Sequence, residues 1–281
     1  MGNKLLEVKG VRKEYKNFTL DGVSFDIEPG EVVGLIGRNG AGKTTIIKLI
    51  MNMIKRNGGG IDVCGLDNIK DEIEVKNIIG YVSDDDYLFA NAFAASYVDL
   101  FTVAYKEFDK AMFEQYATKW ELPLNKQFKA YSKGMKLKTM LAFALSHNPK
   151  ILILDEPTAG LDPVSREEVL ELFREFVADG EHSVLFSTHI TSDLDKIADK
   201  IVFVDDGAVI ENTYTDDLLD KYVMVSGSDK DYEEYKEKFI GVRKTSIGFT
   251  GMALRRDVAD AKNLQISQPN IENIMVYYTR K

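Results

Sequence analysis

A chain of 281 residues, 44% hydrophobic and 29% charged, can hold one large globular domain, or a main domain of about 200 residues with an appendage. Its formal net charge of −9 argues against a nucleic-acid binder, which presents a basic face. No apolar run approaches the ~20 residues of a membrane-spanning helix.

The lone cysteine, Cys64, excludes an internal disulfide. It lies beside Val63 in an expected strand and reads as a small buried hydrophobe. With no signal-peptide core at the N-terminus, the expected compartment is reducing and cytoplasmic.

Residues 4–33 carry two or three short strand patterns and end in the turn Glu28-Pro29-Gly30-Glu31. Tyr15, between Glu14 and Lys16, offers a π-face to a purine ring; an ordinary surface tyrosine is the alternative. The apolar run Val32–Ile36 predicts a buried parallel strand. Gly37-Arg38-Asn39-Gly40-Ala41-Gly42-Lys43-Thr44-Thr45 follows, and then Ile46–Met51 at helical spacing. Strand, glycine-rich loop and helix form the context in which G-x-x-x-x-G-K-[ST] is a P-loop.

The physical reason is specific. Glycines let several backbone N–H groups turn toward one anion, and the helix adds its own N–H groups and dipole. Lys43 then reaches the β- and γ-phosphates, and the Thr44 hydroxyl ligates Mg²⁺.

Asn57–Gly60 predicts a turn into a strand near Ile61–Val63, and residues 78–82 the next strand, ending on Ser83-Asp84-Asp85-Asp86. Three acids there suit an exposed loop or a helix start. At the carboxyl end of a sheet strand, Asp84 is also a candidate near the metal. From Tyr87 to Leu145 the pattern is helical, with Trp120 packed inside it. Ser132 and Gly134 stand at the start of an apolar helix, where an ordinary N-cap is the default reading.

Ile151–Leu154 predicts a buried strand with Asp155 and Glu156 at its end. Beside a P-loop, Asp155 is placed for the Mg²⁺ shell and Glu156 for the attacking water. A turn over Ala159–Pro163 leads to a helix from about Val164 to Ala178. Ser183–Thr188 then forms another strand that ends on His189, the best placed of three histidines. His147 and His182 sit in polar connections.

Asp206-Gly207 predicts a hairpin turn. Beyond it, Tyr222–Val225 and Val242–Phe249 read as strands and Asp231–Phe239 as a charged helix. Asn270 caps a last helix with Ile271, Ile274, Met275 and Tyr278 on one face.

These motifs, in this order over some 210 residues, closely resemble the ATP-binding subunit of an ATP-binding cassette (ABC) transporter. The resemblance implies an α/β P-loop NTPase cassette over 1–215, with a mixed sheet core and an N-terminal antiparallel β region. A helical insertion spans about 87–145, and residues 216–281 form a small C-terminal α/β appendage.

The resemblance also implies an ATPase that uses ATP and Mg²⁺, with Tyr15 stacking on adenine. Gly37, Asn39, Gly40, Ala41, Gly42, Lys43, Thr44 and Thr45 hold the phosphates; Thr44, Asp155 and Asp84 attend the metal; Glu156 and His189 hold the water. Tyr131–Met135 stands where the family carries its signature, so Ser132 and Gly134 bind the nucleotide of a second, head-to-tail cassette.

Two residues depart from the family pattern. Asp84 replaces the usual glutamine, and Lys133 replaces a glycine of the signature. Both variants are similar to bacterial bacitracin-resistance-type exporter ATPases, whose permease is a separate chain. The expected partners are therefore a second cassette, identical or related, and an integral-membrane permease, with no nucleic acid. The expected location is the inner face of the cell membrane. A soluble cassette ATPase and a nucleotide sensor with weak hydrolysis are the alternatives.

Overall fold

The structure is a computed structural model that describes residues 4–83 and 89–279. The chain opens with two long strands, β1 (Leu6–Tyr15) and β2 (Phe18–Ile27), followed by the buried β3 (Val32–Ile36) and the P-loop helix α1 (Lys43–Ile50). Next come β4 (Gly58–Val63), β5 (Leu66–Asp67), the helix α2 (Glu72–Ile78) and β6 (Ile79–Val82). Strands β2, β1, β4 and β5 form an antiparallel sheet in that order. Its apolar side chains, Leu6, Val8, Leu20 and Phe25 among them, join Val33, Leu35, Ile46 and Ile153 in one buried cluster.

Cys64 is not buried. It is exposed at φ +50, followed by Gly65 at φ +81, so the pair forms the two-residue turn that pairs Val63 with Leu66. A turn of this hand needs both residues at positive φ, and the strand expected to bury the thiol has already ended.

The helical segment holds α3 (Ala94–Ala104), α4 (Lys110–Lys119) and α5 (Lys133–Leu145). Its core is aromatic. Phe101 and Phe113 each stack on Phe143 at 4.5 Å between ring centroids, and Trp120 stacks on Tyr116 within the same segment. His147, expected in a polar connection, is buried. Its ring stacks on Tyr105 at 4.1 Å and Nε2 lies 3.1 Å from the Ile79 carbonyl; burial pushes its pKa below the usual histidine value.

After α5 come β7 (Ile151–Asp155), α6 (Pro163–Val177), β8 (Ser183–Thr188), α7 (Thr191–Ile197) and the hairpin β9 (Lys200–Asp205) and β10 (Ala208–Tyr214). The central sheet runs β10-β9-β3-β8-β7-β6. Every residue of β3, β7 and β8 is buried, the pattern of strands covered on both faces.

The parallel register sets the ends of these strands level: Ile36 pairs with Thr188, Asp155 with Ser187 and Val82 with Leu154. Gly37, His189, Glu156 and Ser83 therefore leave the sheet along one edge. That edge is where α/β sheets bind ligands.

Contacts divide the chain into two compact units: residues 1–189 with 202–210, and residues 190–201 with 211–281. The second unit adds α8 (Thr215–Lys221), β11 (Tyr222–Gly227), α9 (Asp229–Tyr235), β12 (Phe239–Thr245), β13 (Gly248–Leu254), β14 (Gln265–Ser267) and α10 (Ile271–Tyr278). Its sheet runs β12-β13-β11-β14, all neighbours antiparallel, so β11 and β12 lie parallel with β13 between them.

Three expectations change here. The run Val242–Phe249 is not one strand but the turn of a hairpin, pairing Thr245 with Gly248 across Ser246-Ile247. Ile247 is 92% exposed there. The charged helix starts earlier, behind the Ser228–Asp231 capping box, and yields to a 3₁₀ turn before Phe239 opens β12. In α10, capped by Asn270 as expected, Tyr277 rather than Met275 or Tyr278 completes the buried face with Ile271 and Ile274.

Candidate functional site

Three glycines shape the loop after β3. Gly37 (φ +155) passes so close to the β9 backbone that a Cβ would lie 2.2 Å from the Val204 carbonyl oxygen. Gly42 (φ +115) is the residue before α1, and a Cβ there would meet Leu20 at 2.6 Å and Phe18 at 3.0 Å. Side chains at these positions would push the loop off the sheet. The hairpin tip supports it from outside, with the Gly207 N–H donating to the Ala41 carbonyl.

Helix α1 begins at Lys43; the Ile46 N–H is the first to donate to a carbonyl four residues back, that of Gly42, which leaves those of Lys43, Thr44 and Thr45 ahead of the helical ladder. They face a concavity of about 360 Å³ lined by Phe18, Asn39, Gly40, Gly42, Lys43, Thr44, Thr45 and Glu156. Lys43 is only 6% exposed. Its Nζ donates to the Gly37 carbonyl at 2.9 Å and the Arg38 carbonyl at 3.4 Å, and stands 3.5 Å from Glu156 Oε1.

Glu156 is held from several sides. Its backbone sits at φ +50, uncommon for a residue other than glycine. Its N–H lies 2.9 Å from Ser187 Oγ and 3.2 Å from the Ser187 carbonyl, and its carbonyl accepts from Ala159 N–H. Oε2 accepts from His189 Nδ1 at 2.7 Å and from the His189 backbone N–H at 3.3 Å. A carboxylate oxygen accepts, so in this contact it is Nδ1 of His189 that donates.

One step back along β7, Asp155 is buried, and its Oδ1 accepts from Ser187 Oγ at 2.5 Å. A single hydroxyl therefore orients both acids. Asp155 and the exposed Thr44 hydroxyl are hard oxygen donors, the type that suits Mg²⁺ bound by few protein groups and by phosphate.

Of the residues expected from sequence, Asn39, Gly40, Gly42, Lys43, Thr44, Thr45 and Glu156 share the concavity, and Gly37, Ala41, Asp155 and His189 support its walls. Tyr15 does not line it. Tyr15 ends β1, half exposed, 6.5 Å from Phe18 between centroids and with Lys13 Nζ 5.1 Å from its own. Phe18, across the two-residue turn, is the aromatic that reaches the loop.

Ser132 and Gly134 also stand apart from it. Ser132 caps α5, its hydroxyl accepting from Met135 N–H at 3.2 Å, and Gly134 packs toward Ser165 and Leu161. Asp84 lies outside the described residues. Sequence reasoning missed Ser187 and Phe18. The only signal for the first was a hydroxyl at the end of a buried strand, and for the second an aromatic just past the Tyr15 turn.

The family model described as ABC transporter matches residues 20–159. The ABC transporter ATP-binding protein YtrB of Bacillus subtilis is 32% identical over 209 residues, 74% of this chain and 71% of the relative. The linearmycin resistance ATP-binding protein LnrL of the same organism is 31% identical over 213 residues, 73% and 68% of the two chains. Among solved structures, a dimeric post-hydrolysis state of the ATP-binding cassette MJ0796, bound to ADP and Pi, superposes with a TM-score of 0.65. It shares 26% identity over 74% of this chain and 98% of that one.

Proposed function

Since the chain belongs to the ABC transporter family as an ATP-binding cassette, we propose that Glu156 is its general base and that its hydrolysis drives export through a separate permease. The chain is an ATPase. The observation that carries the residue assignment is Glu156 at the mouth of the P-loop concavity, held between Lys43 at 3.5 Å and His189 at 2.7 Å.

In this reading the loop N–H groups and Lys43 bind the β- and γ-phosphates of ATP, with Gly37 through Thr45 as the cradle. Tyr15 and Phe18 offer stacking surface to the base. Thr44 and Asp155 would hold Mg²⁺, which neutralises phosphate charge when bound. Glu156 takes a proton from the attacking water, and His189 fixes the carboxylate and presents Nε2 toward the γ-phosphate.

Ser132 and Gly134, away from the chain's own P-loop, bind the γ-phosphate on a second cassette placed head to tail. ATP closes that dimer and hydrolysis reopens it, a population shift set by the affinity of ATP for the closed form. The permease and the export direction are inferred from the resemblance to resistance-type transporters. The peripheral location on the inner membrane face follows from them. Exposed Phe89, Leu100 and Val103 on the helical segment support a protein docked there.

Glu156→Gln keeps the shape and loses the base. Hydrolysis should fall by about 10²–10⁴-fold with nucleotide affinity retained, so that an ATP-dependent dimer accumulates in size-exclusion with light scattering. Wild-type turnover in this variant would remove Glu156 from the role.

A further inference from the structure

Two aromatic rings meet at the turn between β1 and β2, and the fold treats them differently. Tyr15 ends β1 and Phe18 opens β2, paired across the turn with ring centroids 6.5 Å apart. Tyr15 is 47% exposed, and the Lys13 ammonium lies 5.1 Å from its centroid while donating to the Lys55 carbonyl at 2.8 Å. A base that stacked on that face would have to displace a cation already held there. Phe18 packs against the buried apolar cluster that contains Leu20, Leu35 and Ile46, and it also lines the P-loop concavity.

The walls of that concavity differ in chemistry. Gly40, Gly42, Lys43, Thr44 and Thr45 bring backbone N–H, ammonium and hydroxyl groups that suit phosphate, and Glu156 brings its carboxylate. Among the described lining residues Phe18 is the only large apolar side chain. A nucleotide whose γ-phosphate faces Glu156 therefore meets one wall suited to the flat face of its base and the carbon face of its sugar. The Phe18 ring is also ordered in advance, because packing on the core has already cost it rotamer freedom. The exposed Tyr15 ring would lose that freedom at the moment of binding.

We propose that Phe18, and not Tyr15, is the residue that recognises the nucleoside: its ring packs on the adenosine part and gives a nucleotide its advantage over bare polyphosphate. The proposal rests on the reading that the P-loop holds the phosphates. It moves nucleoside recognition from the aromatic expected from sequence to one three positions further on. A phenyl face has no hydrogen-bonding group to read the edge of a base. What it rewards is a π-surface held beside the phosphate site.

The test is titration calorimetry on the full chain with two probes, ADP and inorganic pyrophosphate, each with Mg²⁺. Both carry two phosphates, so their difference in affinity belongs to the adenosine, and neither is hydrolysed at the γ-position. The variants are Phe18→Ala, Phe18→Leu, Phe18→Tyr, Tyr15→Ala and Lys43→Ala. Leucine keeps apolar volume against the core and removes the ring, so a loss shared by the alanine and leucine variants is not one of folding.

Wild type should bind ADP about tenfold or more tightly than pyrophosphate. Phe18→Ala and Phe18→Leu should each weaken ADP by about tenfold and leave pyrophosphate within about twofold, while Phe18→Tyr keeps the wild-type values and Tyr15→Ala changes ADP by less than about threefold. A Tyr15→Ala loss as large as that of Phe18→Ala overturns the proposal. So does wild-type ADP affinity in Phe18→Leu, or an equal loss of both probes in Phe18→Ala, which would make the ring a support for the loop. Unchanged affinity for both probes in Lys43→Ala would overturn the P-loop reading and the proposal with it.

Discussion

Two hydrogen bonds meet at the Ser187 hydroxyl, which donates to Asp155 Oδ1 at 2.5 Å and accepts from Glu156 N–H at 2.9 Å. Asp155 and Ser187 are both buried, so the carboxylate has little water to replace a lost donor. Ser187→Ala should cost about 1–3 kcal/mol of stability, the penalty for leaving a buried polar group short of a partner. It should also lower kcat by about tenfold, because the αL backbone of Glu156 loses one of its two anchors while the nucleotide contacts remain. Denaturant unfolding and single-turnover hydrolysis measure the two effects. Full activity with lowered stability would make Ser187 a structural residue only. The acids were legible in the sequence because two carboxylates at the end of four aliphatic residues cost stability unless an exposed turn or a site receives them, and a P-loop lies in the same chain. The serine was not, because a hydroxyl at a strand end fits a buried strand as well as a site.

Among the elements, those whose burial is one-sided or complete were legible from pattern. The apolar runs of β3, β7 and β8, the hairpin at Asp206-Gly207 and the Asn270 cap all carry a local signal that tertiary packing agrees with. Turns made of residues that usually avoid turns were not. Cys64 takes φ +50 and Ile247 sits exposed in a two-residue turn, and neither residue type announces a reversal. The appendage helix α10 shows what the packing is worth. Ile271 and Ile274 are fully buried, and the Asn270 side chain accepts from Asn273 N–H at 2.8 Å. Ile274→Ala should destabilise the second unit by about 2–5 kcal/mol, and Asn270→Ala by about 1 kcal/mol. Hydrogen exchange of the β11 and β13 amides reads both. Wild-type protection in Ile274→Ala would mean that α10 adds nothing to the core of that unit.

For the molecule as a whole, the question is what would hold it at a membrane. Among the described residues no helix is long and apolar enough to cross one. The net charge of −9 opposes adsorption to the anionic cytoplasmic leaflet, where basic segments are the ones attracted. In the proposed reading, attachment comes through a membrane-protein partner. Leu100 and Val103, one turn apart on α3 and 58% and 86% exposed, with Phe89 at 77%, offer the apolar contact for it. Tagged protein recovered from detergent-solubilised host membranes should bring down a polytopic membrane protein in stoichiometric amount, and that partner should raise the hydrolysis rate. Leu100→Asp with Val103→Asp should lose the partner while the Glu156→Gln background still forms its ATP-dependent dimer, since a charge on this face costs the docked state and not the P-loop. Recovery of a soluble partner instead, or of none, would defeat the separate-permease reading. It would favour a cassette that works in solution or a nucleotide sensor. Retention of the membrane protein by the double variant would move the docking face elsewhere on the cassette and leave the transporter assignment intact.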